Sequence, residues 1–305
     1  MQETQVAILL QREVEQPFDL ENGPLFRTQL VKLKPQEHLV LLTTHHIICD
    51  GWSWGVLMPE LAKLYSALLQ GIVPDLEEPD NFSEYALLQE EEANSPDTIA
   101  TEEYWLKQFS DLVPVLDLPT DRPRPALRTF NSAREDWKLE PGLVADLKQL
   151  EVKLGCSFMT TILAGFEALL YRLTGQEDLV VGVSAAGQAA VGQYKLVGHC
   201  VNMLPLRSRI NGEQSFSDYL QMRRSSVLDA YDRQQFTFGS LVKKLAMPRD
   251  SSRIPLIPVT FNIDQGLETG AIPFDGLEVE FFSNPRAFEN FELFVNATEL
   301  GGKLS

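Results

Sequence analysis

His38-Leu-Val-Leu-Leu-Thr-Thr-His45-His46-Ile-Ile-Cys49-Asp50-Gly51-Trp52-Ser53 is the most informative stretch of the chain. Its first half has the apolar, β-branched composition of a strand. Strict alternation sets Leu39, Leu41, Thr43 and His45 on one face and Val40, Leu42, Thr44 and His46 on the other. The neighbouring histidines should therefore point opposite ways, so that His45 can be structural while His46 looks into a cleft at the strand's end. Imidazole titrates near neutrality, and a cleft-facing His46 has the chemistry to accept or relay a proton. A hydrogen-bonded structural histidine is the plainer alternative. A metal held by His45, His46 and Asp50 is disfavoured, because opposed neighbours cannot share an ion without distorting the backbone.

Working outward, Leu25–Lys34 is a second β-rich run, joined to His38–Ile48 by Pro35-Gln36-Glu37 in the manner of a hairpin. Downstream, Trp54, Leu57, Met58, Leu61, Leu64, Tyr65 and Leu68 recur with helical spacing, with Ser53 as the expected cap and Gly71 as the stop. Pro59 should kink this helix or move its start toward Met58. Further helices are expected at 5–15, 82–93, 98–110, 141–153, 157–174, 215–232 and 238–246. Strands are expected near 129–139, 178–184, 201–210, 256–264 and 275–283. The alternation defines an α/β chain. Four prolines in 114–125 mark a linker, which predicts a first lobe over 1–120, a connection at 121–128 and a second lobe over 129–305.

The chain has 305 residues, 44% apolar and 23% charged, enough for a sizeable core. Its 43 acidic and 26 basic side chains give a net charge of −17, which repels polyanions and argues against nucleic acid or an anionic membrane as partner. Cys49, Cys156 and Cys200 lack metal or disulfide spacing and fit a reducing, cytoplasmic setting. No apolar run has the length of a membrane span, and Met1 precedes polar residues.

His45-His46-Ile-Ile-Cys-Asp50-Gly51 resembles the HHxxxDG signature of nonribosomal peptide synthetase condensation domains. Four further segments resemble that family's motifs in their order: Phe82–Ala86, Val197–Arg207, Arg249–Leu256 and Phe261-Asn262-Ile263-Asp264. The motifs that precede HHxxxDG in the family have no counterpart here, so the expectation is a piece lacking the opening of the first lobe and the end of the second.

The resemblance implies two lobes of chloramphenicol acetyltransferase-like fold forming a V, with the active site in a tunnel between them. Donor and acceptor would arrive on 4'-phosphopantetheine arms of carrier domains, with an adenylation domain as neighbour and no cofactor bound by the domain itself. His46 is implied as the catalytic histidine, as base or as positioner of the amine. Gly51 would offer an N–H to the oxyanion. His45 and Asp50 would be structural, with Arg207 as the expected partner of Asp50. Asn262, Ser184 and Trp52 are expected along the tunnel. An epimerization domain, a stand-alone acyltransferase and a non-catalytic carrier-docking module are the rivals.

The remaining features have plainer explanations. Gly182-Val-Ser184-Ala-Ala-Gly187 lacks the spacing of a nucleophile elbow and is expected to be a strand end and turn. Gly301-Gly302 is expected to be a hairpin turn, and the three cysteines small apolar fillers. His199 is expected to be structural. Arg122, Arg124, Arg128, Arg223, Arg224, Lys243 and Lys244 are expected mostly on solvated faces, with carrier docking as the competing use.

Overall fold

The computed structural model describes residues 2–93, 95–247, 250–265 and 272–305, so Arg249 lies outside the described residues. A helix α1 (Gln2–Glu15) leads into the hairpin β1 (Phe26–Lys34) and β2 (Glu37–Thr44), paired antiparallel from Phe26 opposite Thr44 to Lys34 opposite Glu37. Leu39 and Leu41 of β2 are buried while Val40 between them is exposed, as the alternation requires. α2 (Gly51–Gln70), α3 (Phe82–Glu92) and α4 (Pro96–Gln108) follow.

α2 begins earlier than expected. Asp50, not Ser53, is its N-cap, in a capping box in which Asp50 accepts from the Ser53 N–H and the Asp50 N–H reaches the Ser53 side chain. Gly71 ends the helix in the left-handed conformation, as expected. Pro59 neither breaks the helix nor delays its start; the residue one turn back, whose carbonyl the ring crowds, is Gly55, which is exposed and has no side chain to obstruct adjustment.

The rest of the chain comprises α5 (Pro141–Leu154), α6 (Phe158–Thr174), β3 (Asp178–Ala186), the short α7 (Gly187–Ala190), β4 (Val201–Arg209), α8 (Phe216–Tyr231), α9 (Phe238–Leu245), β5 (Val259–Gln265), β6 (Leu293–Leu300) and β7 (Lys303–Leu304). The five strands form one mixed sheet in the order β4-β3-β5-β6-β7, with β3, β5 and β6 parallel and β4 and β7 antiparallel to their neighbours. β3 is buried almost throughout, and α5, α6 and α8 pack together with this sheet. Ser184 lies on the last part of β3, Gly187 opens α7, and Gly301-Gly302 turns β6 into β7, all as expected.

Two strands expected from the sequence are not formed. Residues near 129–139 form no ladder: they make an isolated bridge between Asn131 and Phe288, and the Leu139 N–H donates to the Leu304 carbonyl at 2.9 Å. Residues near 275–283 form no ladder; here Ile272, Phe274 and Phe281 turn their apolar groups onto α2, against Met58, Ala62, Leu57 and Trp54. The Asp275 N–H also donates to Ser66 of α2, so the segment is used as a cover and not as a strand. β6, which the alternation had not marked, is the strand that extends the sheet.

Trp105, Phe109 and Leu116 precede the expected linker at 121–128 and are buried in the core of the five-stranded sheet, and the Trp105 indole N–H donates to the carbonyl of Arg233 at 2.9 Å.

Arg223 corrects another expectation, because it is buried and not solvated. Its guanidinium donates to both carboxylate oxygens of buried Glu167, at 2.8 and 2.9 Å, tying α8 to α6. Tyr219 donates to the same carboxylate at 2.7 Å.

Candidate active site

β2 ends at Thr44, one residue before the double histidine, so both rings sit in the turn that leads to α2. They diverge, as expected, although both lie beyond the end of the strand. His45 turns back toward the N-terminal segment: its ring meets Phe18 edge-on at 5.5 Å, and its Nδ1 accepts from the Ile47 N–H at 3.1 Å. His46 is exposed and turns the other way, its Nδ1 lying 3.0 Å from Nδ1 of His199.

Asp50 is what holds this turn against the rest of the molecule. It is buried and accepts from the Ser53 N–H at 3.0 Å, the Ser53 hydroxyl at 2.9 Å, the Cys200 N–H at 3.0 Å and the Gln188 amide at 3.2 Å. Its own N–H donates to the Gly198 carbonyl at 3.1 Å, and Ser53 Oγ meets both the N–H and the carbonyl of Gly198. The residues on both sides of His199 are thus bolted to the start of α2. A buried carboxylate with this many donors is satisfied without a cation.

The expected partner of Asp50, Arg207, is elsewhere. Arg207 pairs bidentately with Asp178 at 2.6 and 2.9 Å, and donates to Asp111 at 2.5 Å and to the Gln108 carbonyl at 2.8 Å. The reason is geometric: Cys200 meets Asp50 at the start of β4, and seven residues of extended chain put Arg207 roughly 20 Å further on. Gln188 and the Cys200 N–H take the place that the sequence assigned to Arg207. Nothing in the sequence marked Gln188, which belongs to the short α7 after β3.

Gly51 is the first residue of α2 and is exposed, and its N–H, at the positive end of a 20-residue helix, has no partner among the described residues. A Cβ placed there would meet nothing within 4 Å, so the position opens onto free space. Beside it, the Trp52 indole N–H donates to the Tyr194 carbonyl at 2.9 Å, and the two rings lie 6.2 Å apart. Ser184 and Asn262 lie on the five-stranded sheet and bond to other elements than the 45–53 turn. The Ser184 carbonyl accepts from Tyr231 at 3.2 Å, and the Asn262 amide donates to Asn296 at 2.7 Å.

Burial and the nearby Asp50 push the Cys200 thiol up to about 11, and burial raises Cys49, so neither is a nucleophile near neutral pH. Among the described residues no cluster of three or more His, Cys, Asp or Glu could hold a metal ion, and no single helix is long and apolar enough to cross a membrane.

Two substitutions and a control test this architecture. Asp50→Asn puts an amide NH₂ against either the Cys200 or the Ser53 N–H, and should cost about 1–3 kcal/mol of stability, read by urea melts, as well as activity. Gly187 donates its N–H to the Cys200 carbonyl at 3.0 Å, and a Cβ there would lie 2.5 Å from that oxygen and from the Tyr85 hydroxyl. Gly187→Ala should therefore destabilise by about 1–3 kcal/mol. Gly165→Ala, on an exposed helix position where a Cβ meets nothing, should be neutral or slightly stabilising in the same melts.

The sequence and the fold have counterparts among known proteins. The condensation-domain family model matches residues 1–305, and the chain belongs to that family. It is 35% identical over 285 residues to surfactin synthase subunit 2 of Bacillus subtilis (strain 168), covering 93% of this chain and 8% of that protein. It is 33% identical over 293 residues to bacitracin synthase 3 of Bacillus licheniformis, covering 96% of this chain and 4% of that protein. The chain thus spans only a small part of the curated relatives it matches. Among solved structures, a four-domain nonribosomal peptide synthetase bound to AMP and glycine superposes with a TM-score of 0.86 at 20% identity, over 99% of this chain and 24% of that one. The first condensation domain of the calcium-dependent antibiotic synthetase gives 0.81 at 22% identity, over 99% of this chain and 65% of that one. The fold is therefore the chloramphenicol acetyltransferase-like α/β fold of condensation domains, as expected from the sequence.

Proposed function

We propose that the chain forms amide bonds in nonribosomal peptide biosynthesis, joining a carrier-bound acyl or aminoacyl thioester to the amine of a carrier-bound aminoacyl acceptor. The observation that carries this reading is the exposed His46 ring on the turn that leads into α2, whose start is clamped through Asp50, in a chain of the condensation family. The acceptor nitrogen attacks the thioester carbonyl, and the carbonyl oxygen becomes an oxyanion for which the Gly51 N–H and the α2 dipole are suitable donors. His46 takes the proton released as the C–N bond forms. The C–S bond then breaks and the proton passes to the departing thiolate. Holding two tethered reactants together supplies part of the rate.

In this reading the two reactants ride on 4'-phosphopantetheine arms of carrier domains, an adenylation domain is a neighbour, and the reaction takes place in the cytoplasm. Trp52, Ser184 and Asn262 line the approach to His46, and His45 is structural. The lobes are assigned to 1–120 and 129–305 about the 121–128 linker, with α4 docked on the second.

Turnover in deuterium oxide separates this chemistry from epimerization. The expected product is a dipeptidyl group on the acceptor carrier with no deuterium at the donor α-carbon. Deuterium wash-in without a new amide would replace the proposal with epimerization.

A further inference from the structure

His199 lies 153 residues from His46 in sequence, and the two meet through like atoms: Nδ1 to Nδ1 at 3.0 Å, with the rings edge-to-face at 5.1 Å. A hydrogen bond between two imidazole nitrogens holds one proton, so one ring must donate and the other accept. The contact is not a chance meeting of loose side chains. Both neighbours of His199 are fixed to the start of α2, through the Gly198 backbone on Asp50 and Ser53 and the Cys200 N–H on Asp50. Nε2 of His46 has no partner among the described residues, and the residue is exposed.

We propose that His199 is a positioning residue that fixes the tautomer of His46: His46 Nδ1–H donates to the Nδ1 lone pair of His199, leaving the His46 Nε2 lone pair as the site that receives a proton. The reverse arrangement would put hydrogen on Nε2 of neutral His46, where it could give a proton but not take one. His199 suits the acceptor part. Burial and the adjacent His46 hold it below the ordinary histidine value against smaller opposite pulls from Asp50 and the His46 backbone, which favours its neutral form. When His46 Nε2 accepts the amine proton, its Nδ1–H bond to neutral His199 becomes charge-assisted and supports the imidazolium until the proton leaves with the thiolate.

The catalytic consequence rests on the condensation reading, whereas the tautomer itself does not, so the test has two arms. In the first, histidine is labelled with nitrogen-15 and the four rings are read by long-range proton–nitrogen correlation without substrate, assigned by single His→Gln changes. His46 is expected as the Nδ1–H tautomer in the wild-type protein. It should stay so in His199→Asn, whose Oδ1 falls where Nδ1 was, and shift toward Nε2–H in His199→Leu. In the second arm, His199→Leu should lower kcat about tenfold or more with little change in KM, and His199→Asn should recover most of it.

A wild-type His46 in the Nε2–H form, or a tautomer indifferent to His199→Leu, would overturn the proposal. Equal loss of turnover in the Asn and Leu variants would also overturn it, since only packing would then be at stake. If His199→Leu does not give a cooperative melt, the wild-type and Asn spectra still decide. The Nδ1–H form in a protein that makes no amide would support the positioning role and sink the condensation reading alone.

Discussion

Replacing His46 by alanine should slow amide formation between carrier-bound substrates by about 10²- to 10⁴-fold, the span expected for loss of a positioned acid–base group. The fold should survive. His46 is exposed and its ring contacts His199 but carries no part of the Asp50 clamp, so the substitution should cost no more than about 0.5 kcal/mol. A residual rate should remain, because the tethered reactants are still held together and the Gly51 N–H is untouched. Single-turnover rates from quenched samples, set beside a thermal melt of the same preparation, check both halves. Turnover near wild type would remove His46 from the chemistry. A collapsed melt would make the ring structural.

The largest effect on stability is expected at Arg223, far from the histidines. Arg223 and Glu167 are 1% and 0% exposed, and among the described residues the carboxylate is held by Arg223 and Tyr219 alone. Arg223→Leu strands that charge in a low-dielectric core and should cost about 3–5 kcal/mol. Removing both members, in Arg223→Leu with Glu167→Leu, should recover most of the loss, because the desolvation cost disappears with the pair. Urea melts of the single and double variants would show it; no loss in the single variant, or no rescue by the double change, would contradict the account.

What the sequence disclosed depends on how local the cause was. The β1–β2 hairpin and α2, α5, α6, α8 and α9 follow from periodicity within a dozen residues, whereas His45 and His46 lie just past the strand whose alternation suggested their divergence. The cap of α2 was misplaced because Asp50 and Ser53 both suit that position, and the capping box uses both. Residues 275–283 alternate like a strand, but the apolar stripe of α2 competes for the same segment, which pattern alone cannot weigh. The charged residues were the least legible. Arg223 and Arg207 look alike in the sequence, yet one is buried against Glu167 on another helix and the other joins β4 to β3 through Asp178 and to the loop after α4 through Asp111. Asp50 was legible as a structural carboxylate, whereas its donors, Gln188 and the Cys200 N–H, come from a short helix and a backbone group that carry no signature. His199 was marked only by its place inside a family motif, and its meeting with His46 depends on a contact across 153 residues.

The central claim is that this protein joins two carrier-bound groups through an amide. The most direct measurement is intact-protein mass spectrometry of the acceptor carrier after mixing the protein with a donor-loaded and an acceptor-loaded carrier. The account predicts that the acceptor carrier gains the mass of the donor acyl group, that the donor carrier returns to its free thiol, and that both changes vanish with His46→Ala. An acceptor carrier of unchanged mass, with the donor thioester intact or merely hydrolysed, would contradict it.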